Sequence, residues 1–298
     1  MHTSTSVQFL GLTSTQALGV WVRPRRPRFA FEAELADLPR VWHPAGVGPT
    51  AFLEAISALA PVVESFFIGD ARRLLPRIAN CSLRAETEAF LQQEAAHAGA
   101  HAAFNRLLAR RGVPVQAAER WAQGWIFLLG FMSSDLNSAV AMAGEHFLGE
   151  LGDVLLTRPE VLAGVDPPIA HLLRWHAYEE VEHKAVLFDA FQAARGDGLG
   201  TYLARVAGLW LAVFLVVVIL PPMIWRILAS KGAAHSPRAW GGVLRFLFGP
   251  AGVLRGRGKA LLGFMRRDFH PWTYLDNTHH LQALRDAIID PAWEGAAR

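Results

Sequence analysis

The chain has 298 residues, of which 52% are hydrophobic and only 18% charged, against roughly 25% charged in an average globular domain. That composition excludes a disordered or acidic-tail protein. A single cysteine, Cys81, excludes a disulfide framework, an iron–sulfur cluster and a thiolate zinc site. The net charge of +3 hides an asymmetry: residues 201–298 hold 12 Lys/Arg against 5 Asp/Glu, while residues 1–200 hold 17 against 21. A basic C-terminal third suits an anionic neighbour, either nucleic acid or a membrane surface.

Taken in chain order, residues 1–45 are expected to be irregular. Met1 to Leu18 lacks a basic stretch followed by an apolar run, so no secretory signal is expected. The Arg23–Arg28 run contains Pro24 and Pro27 and cannot be helical, because each proline removes a donor and restricts its predecessor. From Pro49 to Gly196 the apolar spacing is helical and predicts four long helices. The first spans about 49–75. The second follows Ser82, a fitting N-cap, and runs to Arg111, before Gly112 and Pro114. The third covers about 118–157, with a break near Ser133–Asp135. The fourth begins at Asp166, with Pro167 in the first helical position, and stops near Gly196.

Val206 to Trp225 (VAGLWLAVFLVVVILPPMIW) then gives 20 residues without a charge, flanked by Arg205, Arg226 and Lys231. That is about the length that spans a bilayer core, although Pro221–Pro222 would cut a continuous helix to about 15 residues. Spanning, re-entrant and buried or dimer-interface packing are all open for it. Between Trp240 and Trp272, Arg245, Arg255, Arg257, Lys259, Arg266 and Arg267 alternate with apolar residues, as in a helix lying on anionic headgroups. No nucleic-acid recognition motif is present, so nucleic acid is not expected as a partner. Basic residues after the apolar run favour the cytoplasmic face. The expected organisation is a segment over 1–45, a di-metal helical bundle over 46–200, and a membrane-associated helical region over 201–298 packed on the bundle.

Two Glu-x-x-His pairs carry the chemistry: Glu94/His97 in the second helix and Glu180/His183 in the fourth. At 100° per residue, Phe90, Glu94, His97, His101 and Phe104 share one stripe, as do His176, Glu180, His183 and Leu187. An ordinary amphipathic helix fills such positions with Leu or Ile. Ionisable groups there cost several kcal/mol unless compensated, and a divalent metal compensates them. The other two helices each offer an inward glutamate. Glu145 is in line with Ser138, Ala141, Met142 and Leu148, and Glu64 lies in PVVESFF. One Glu from each of two helices plus Glu-x-x-His from each of two others is the ligand set of di-iron carboxylate bundles. Carboxylates with imidazoles suit iron, manganese or a mixed iron/manganese pair better than structural zinc.

Order and spacing resemble the ferritin-like di-iron oxygenases, and among them the arylamine N-oxygenase group. That group adds a histidine four residues before the last glutamate, and the resemblance implies that His176 is a seventh ligand, making the two metal sites unequal. The chain also resembles a bacterial family labelled "predicted metal-dependent hydrolases" in the phrases ESFF, FLQQEAAHAGAH, EEVEHKAVLFD and FHPW, over most of residues 45–275. It differs from the arylamine oxygenases in the apolar run after the fourth helix.

Several positions stay open. Glu54 is a rival to Glu64, and Glu179 or Glu182 to Glu180. His101 is an extra ligand, a group supporting a ligand, or a core histidine, and Asp189 could orient a ligand histidine. The expectation is therefore an all-α protein, a ferritin-like four-helix bundle with an apolar C-terminal region. It would hold two iron ions on Glu64, Glu94, His97, Glu145, His176, Glu180 and His183, and use O₂ as cosubstrate. The substrate would be apolar or lipid-like and would be hydroxylated, desaturated or N-oxygenated. No nucleotide-binding fingerprint appears, so a ferredoxin or reductase would supply electrons, and a homodimer is an option. The competing expectation is a metal-dependent hydrolase with a dinuclear Mn, Zn or Fe site.

Overall fold

The structure is a computed structural model that describes residues 12–288. Ten labelled helices carry the fold, and no strand occurs among the described residues: α1 (Val47–Leu74), α2 (Cys81–Arg110), α3 (Val115–Leu129), α4 (Ser134–Thr157), α5 (Pro167–His183), α6 (Val186–Arg195), α7 (Leu199–Ser230), α8 (Pro237–Phe248), α9 (Gly258–Phe264) and α10 (Thr278–Ile288). Single-turn helices at Ser14–Ala17, Phe31–Glu34 and Pro271–Tyr274 are left unlabelled. The protein is all-α.

Local chemistry sets most of the boundaries. The side chain of Asn80, rather than Ser82, caps α2 by accepting from the Leu83 N–H at 2.9 Å, so the helix starts two residues earlier than Ser82 implies. Gly112 at φ 82° ends it. The third expected helix is two, α3 and α4, with Ser133 capping the second. The fourth is also two: the regular pattern is interrupted at Lys184–Ala185, immediately after His183. The Lys184 side chain turns there to the Leu275 carbonyl (2.5 Å) and Asn277 Oδ1 (2.7 Å).

Two helices run through prolines, and in each one freed carbonyl finds a side-chain donor. Pro61 in α1 cannot donate to the Ser57 carbonyl, and Asn105 Nδ2 of α2 does so at 2.9 Å. Pro222 in α7 leaves the Val218 carbonyl open, and Trp121 Nε1 of α3 donates to it at 3.3 Å. The Pro221–Pro222 pair therefore does not shorten the apolar helix, which is continuous over 32 residues.

α1 packs along α2, and α4 along α5. α1 also meets α4, and α2 meets α5, so the four close a ring. α7 lies across α4, α1 and α3. At its closest approach a Cβ on Gly208 would stand 2.5 Å from the Ala139 backbone, so only glycine fits. The packed face of α7 includes Leu209, Ala212, Leu215, Ile219, Met223 and Ile227, whereas Leu203, Trp210, Phe214, Val217 and Trp225 are exposed. One hydrophobic cluster joins Phe31, Leu35 and Trp42 of the N-terminal segment, the helices of the ring, and residues as late as Trp272 and Leu281.

Of the basic residues expected at headgroups, Arg257 is turned inward, and so are Lys231 and Arg205, which flank the apolar run. Arg257 pairs with Glu150 (2.8 Å) and Asp153 (2.7 Å), and Lys231 with Glu54 (2.9 Å). Arg205 is buried beside the rings of Tyr202, Phe188, Phe264 and Phe269 and donates to the Arg266 carbonyl. Arg266 pairs with Asp268. Arg257 and Lys231 balance acids on other elements, which a count of charges along the chain does not reveal.

Candidate metal centre

The ring of α1, α2, α4 and α5 encloses seven ionisable side chains. Glu64 comes from α1, Glu94 and His97 from α2, Glu145 from α4, and His176, Glu180 and His183 from α5. Three overlapping groups have ligand atoms mutually within 4.8 Å: Glu64, His97 and His176; Glu94, His97 and Glu180; and Glu94, Glu145 and His183. The structure thus brings all seven residues together. Gly152 lets α4 approach closely, since a Cβ there would lie 2.8 Å from the Ala177 carbonyl of α5.

Two carboxylates sit between the histidines. Glu180 Oε1 is 2.8 Å from His176 Nε2 and 3.7 Å from His97 Nδ1, while its Oε2 is 3.4 Å from His183 Nε2. Glu94 Oε1 is 3.3 Å from His97 Nδ1 and 3.4 Å from His183 Nε2. Glu64 Oε1 flanks one end, 3.5 Å from His176 Nε2, and Glu145 Oε2 the other, 3.3 Å from His183 Nε2. One end therefore has two imidazoles and the other has one.

These groups are almost wholly shut from water, and the His176 side chain, 12% exposed, is the most open of them. Phe90 meets the His183 ring edge-on at 4.8 Å, and Trp175 the His97 ring at 4.9 Å. Both oxygens of Glu64, Glu94 and Glu145 are buried without a hydrogen-bond donor, as are Glu180 Oε2, His97 Nδ1 and His183 Nε2. Unpartnered buried polar atoms are rare in folded proteins, and here they point at one another.

The electrostatics say the same. Burial raises Glu64 well above the usual carboxylate range, and Glu94 and Glu145 to about 8; the neighbouring carboxylates add to it. Burial also opposes ionisation of Glu180, but His183 and His176 outweigh it and hold this carboxyl well below its ordinary value. Against the same burial, Glu180 and Glu145 push His183 up. Four carboxylates in a dry site need positive charge. Two divalent cations would balance all four and supply partners for the orphaned atoms, so the residues fit a dinuclear centre.

A second layer surrounds the first. His97 Nε2 lies 3.0 Å from Glu179 Oε2; a carboxylate only accepts, so the ring holds its proton there and Nδ1 faces the centre. His183 Nδ1 donates to Gln93 Oε1 at 3.0 Å, leaving Nε2 inward. His176 Nδ1 faces His101 Nε2 at 2.8 Å, and His101 Nδ1 meets Ser57 Oγ at 2.9 Å. His101 therefore lies behind His176 and belongs to none of the three groups. Asp189 bonds Ser14 Oγ and His270 Nε2 and reaches none of the seven side chains. It sits in α6, past the interruption that follows His183. Glu54 is bound by Trp42 Nε1 and Lys231, away from the cluster. Buried His146 meets the Ala260 carbonyl at 3.3 Å, with burial lowering it to about 4. Sequence reasoning missed Gln93 and Arg25, and took Glu179 and Glu182 only as rival ligands. Three glutamates within EEVEH on one buried helix were the available signal.

Fold and cluster define an all-α protein with a buried carboxylate–histidine site able to hold metal ions. The family described as "Predicted metal-dependent hydrolase" matches residues 23–274, and the chain belongs to it. No curated protein and no solved structure matches the chain.

Proposed function

We propose that the chain is a dinuclear metalloenzyme on a ferritin-like four-helix bundle, with iron as the metal and O₂-dependent oxidation of an apolar substrate as the reaction. The observation that carries this reading is the donor set: four carboxylates and three imidazoles, with Glu94 and Glu180 each reaching histidines at both ends. Glu64, His97 and His176 would hold one ion and Glu145 and His183 the other, with Glu94 and Glu180 shared. Bound iron would supply redox chemistry toward O₂ that no side chain here offers. The chain's own residues do the rest. Phe90 and Trp175 keep water from the rings, and Glu179 and Gln93 hold the outer ring protons of His97 and His183 in place. His176, the most open of the seven, marks the side from which a substrate would enter.

The family's description supports hydrolysis more directly than oxidation, and hydrolysis is the second reading. There the same residues would hold Mn, Zn or Fe and activate water. A single turnover of reduced, iron-loaded protein separates the two. The oxidative reading expects O₂ uptake in proportion to bound iron and no product without O₂. Product formation that persists without O₂ and survives exchange of iron for zinc overturns it in favour of the hydrolase. An external ferredoxin or reductase belongs to the oxidative reading only.

The membrane part of the proposal rests on the outer face of α7. Leu203, Trp210, Val217 and Trp225 are exposed, and so are Phe127 and Phe131 at the α3–α4 junction. Arg245, Arg255 and Lys259 are exposed nearby in sequence, with no ion pair among the described residues. The opposite face of α7 is packed on α4, α1 and α3, so lipid could meet only one side of the helix. An anionic lipid surface lying along α7 is therefore the occupant proposed. By length and composition α7 is also one of two helices able to cross a bilayer, the other being Val47–Arg77, 61% of whose most apolar stretch is buried in the fold.

A further inference from the structure

The Arg23–Arg28 stretch, expected only to be non-helical, passes directly behind the candidate metal centre. Arg25 Nη1 lies 2.9 Å from both Glu179 Oε1 and Glu182 Oε2, and its Nη2 donates to Glu182 Oε1 at 2.9 Å. The guanidinium also stands over the Tyr178 ring at 5.2 Å. The backbone joins in: the Arg23 N–H donates to Glu182 Oε2 at 3.1 Å, and the Arg23 carbonyl accepts from Gln93 Nε2 at 3.2 Å.

From these two glutamates one chain of contacts leads to His97 and another to His183. Glu179 accepts from His97 Nε2 at 3.0 Å. Glu182 Oε2 accepts from Gln93 Nε2 at 2.7 Å, which turns Gln93 Oε1 toward His183 Nδ1 at 3.0 Å. Glu179 is wholly buried, the Glu182 side chain is 4% exposed, and among the described residues Arg25 is the one cation paired with either. Pro24 and Pro27 restrict the backbone on both sides of Arg25, and the segment is not helical.

We propose that Arg25 is a positioning residue for the metal centre: a proline-flanked strap that, through Glu179 and through Glu182 with Gln93, fixes which nitrogen His97 and His183 present to the metals. This rests on the reading of the seven inner side chains as metal ligands. Removing Arg25 leaves two buried carboxylates without their counter-ion, and either can then draw the proton or the ring away from its inward-facing tautomer. The planar fork matters as well as the charge, because Glu182 is held by both guanidinium nitrogens while one of them also reaches Glu179, a geometry that a single ammonium nitrogen does not reproduce.

The test uses the full chain titrated anaerobically with ferrous ion against a chromogenic chelator. Wild type, Arg25→Lys, Arg25→Gln and Glu179→Gln are compared, with far-UV circular dichroism and the metal-free melting temperature followed in parallel. Wild type should bind two ferrous ions per chain. Both Arg25 variants should bind them about 10–100-fold more weakly while keeping native helicity. Glu179→Gln should weaken chiefly the ion on the His97 side. If Arg25→Gln does not fold, Arg25→Lys decides. Arg25 variants that melt earlier yet bind ferrous ion as tightly as wild type overturn the proposal and leave the strap a structural tie. A wild-type chain that binds no ferrous ion overturns the ligand reading itself.

Discussion

His183 and Lys184 are neighbours in sequence but belong to buried polar clusters of opposite character. Around Lys184 the atoms are partnered. Its ammonium meets Leu275 O, Asn277 Oδ1 and, at 4.0 Å, the Trp272 ring, while Asp153 is held by Arg257 and by Asn277 Nδ2 at 3.2 Å. Around His183, four carboxylates converge with most of their oxygens unpartnered. A cluster that closes on itself fastens elements together, here the C-terminal segment onto α4 and α5. A cluster whose inner atoms lack partners offers ligand atoms that could hold an ion.

That contrast can be broken in order of expected effect. Glu180→Gln removes one of the two carboxylates that reach histidines at both ends, and metal content measured by elemental analysis should fall from two ions per chain to fewer than one. Asp153→Ala should do the reverse: about 3 kcal/mol of stability lost in urea unfolding, because Arg257 and Asn277 lose a partner, with two metals still bound. Equal metal loss in both variants would erase the distinction.

The third test lies outside both clusters. Burial raises Glu86 to about 7, above its unfolded value near 4.5. Between these values the folded state holds the extra proton, so stability falls as pH rises from about 4.5 to 7 and stays lower above that. The ceiling is about 3 kcal/mol. Glu86→Gln should flatten this dependence, making the variant more stable than wild type at pH 8 but not at pH 4. The smallest effect on the fold should come from Trp210→Asp with Val217→Asp on exposed α7. Urea stability should move by about 0.5 kcal/mol or less, while sedimentation with phosphatidylglycerol vesicles is lost. Unchanged vesicle binding would remove the lipid contact.

Features repeating along one helix were legible in the chain. The ligand stripe on α2 and α5 follows from 100° spacing, and Glu145 was marked by its small and apolar neighbours. What required the third dimension was any partner from a distant segment. Periodicity places Glu179 and Glu182 beside Glu180 but cannot say that Glu179 meets His97, that Glu182 meets Gln93, or that Arg25 pairs with both. Pro221–Pro222 looked like a helix end because the donor that tolerates it, Trp121, lies 97 residues away. Arg257 and Lys231 could not be told from the outward cations around them because their partners Glu150, Asp153 and Glu54 are on α4 and α1.

The central claim is that the open cluster holds two metal ions. Elemental analysis of the full chain, purified from iron-supplemented cells and compared with a variant carrying Glu94→Ala and Glu180→Ala, tests it most directly. The account predicts two ions per chain, chiefly iron, in the wild type and none in the variant. A wild type with no bound metal, or with one ion that the double substitution leaves in place, would contradict it.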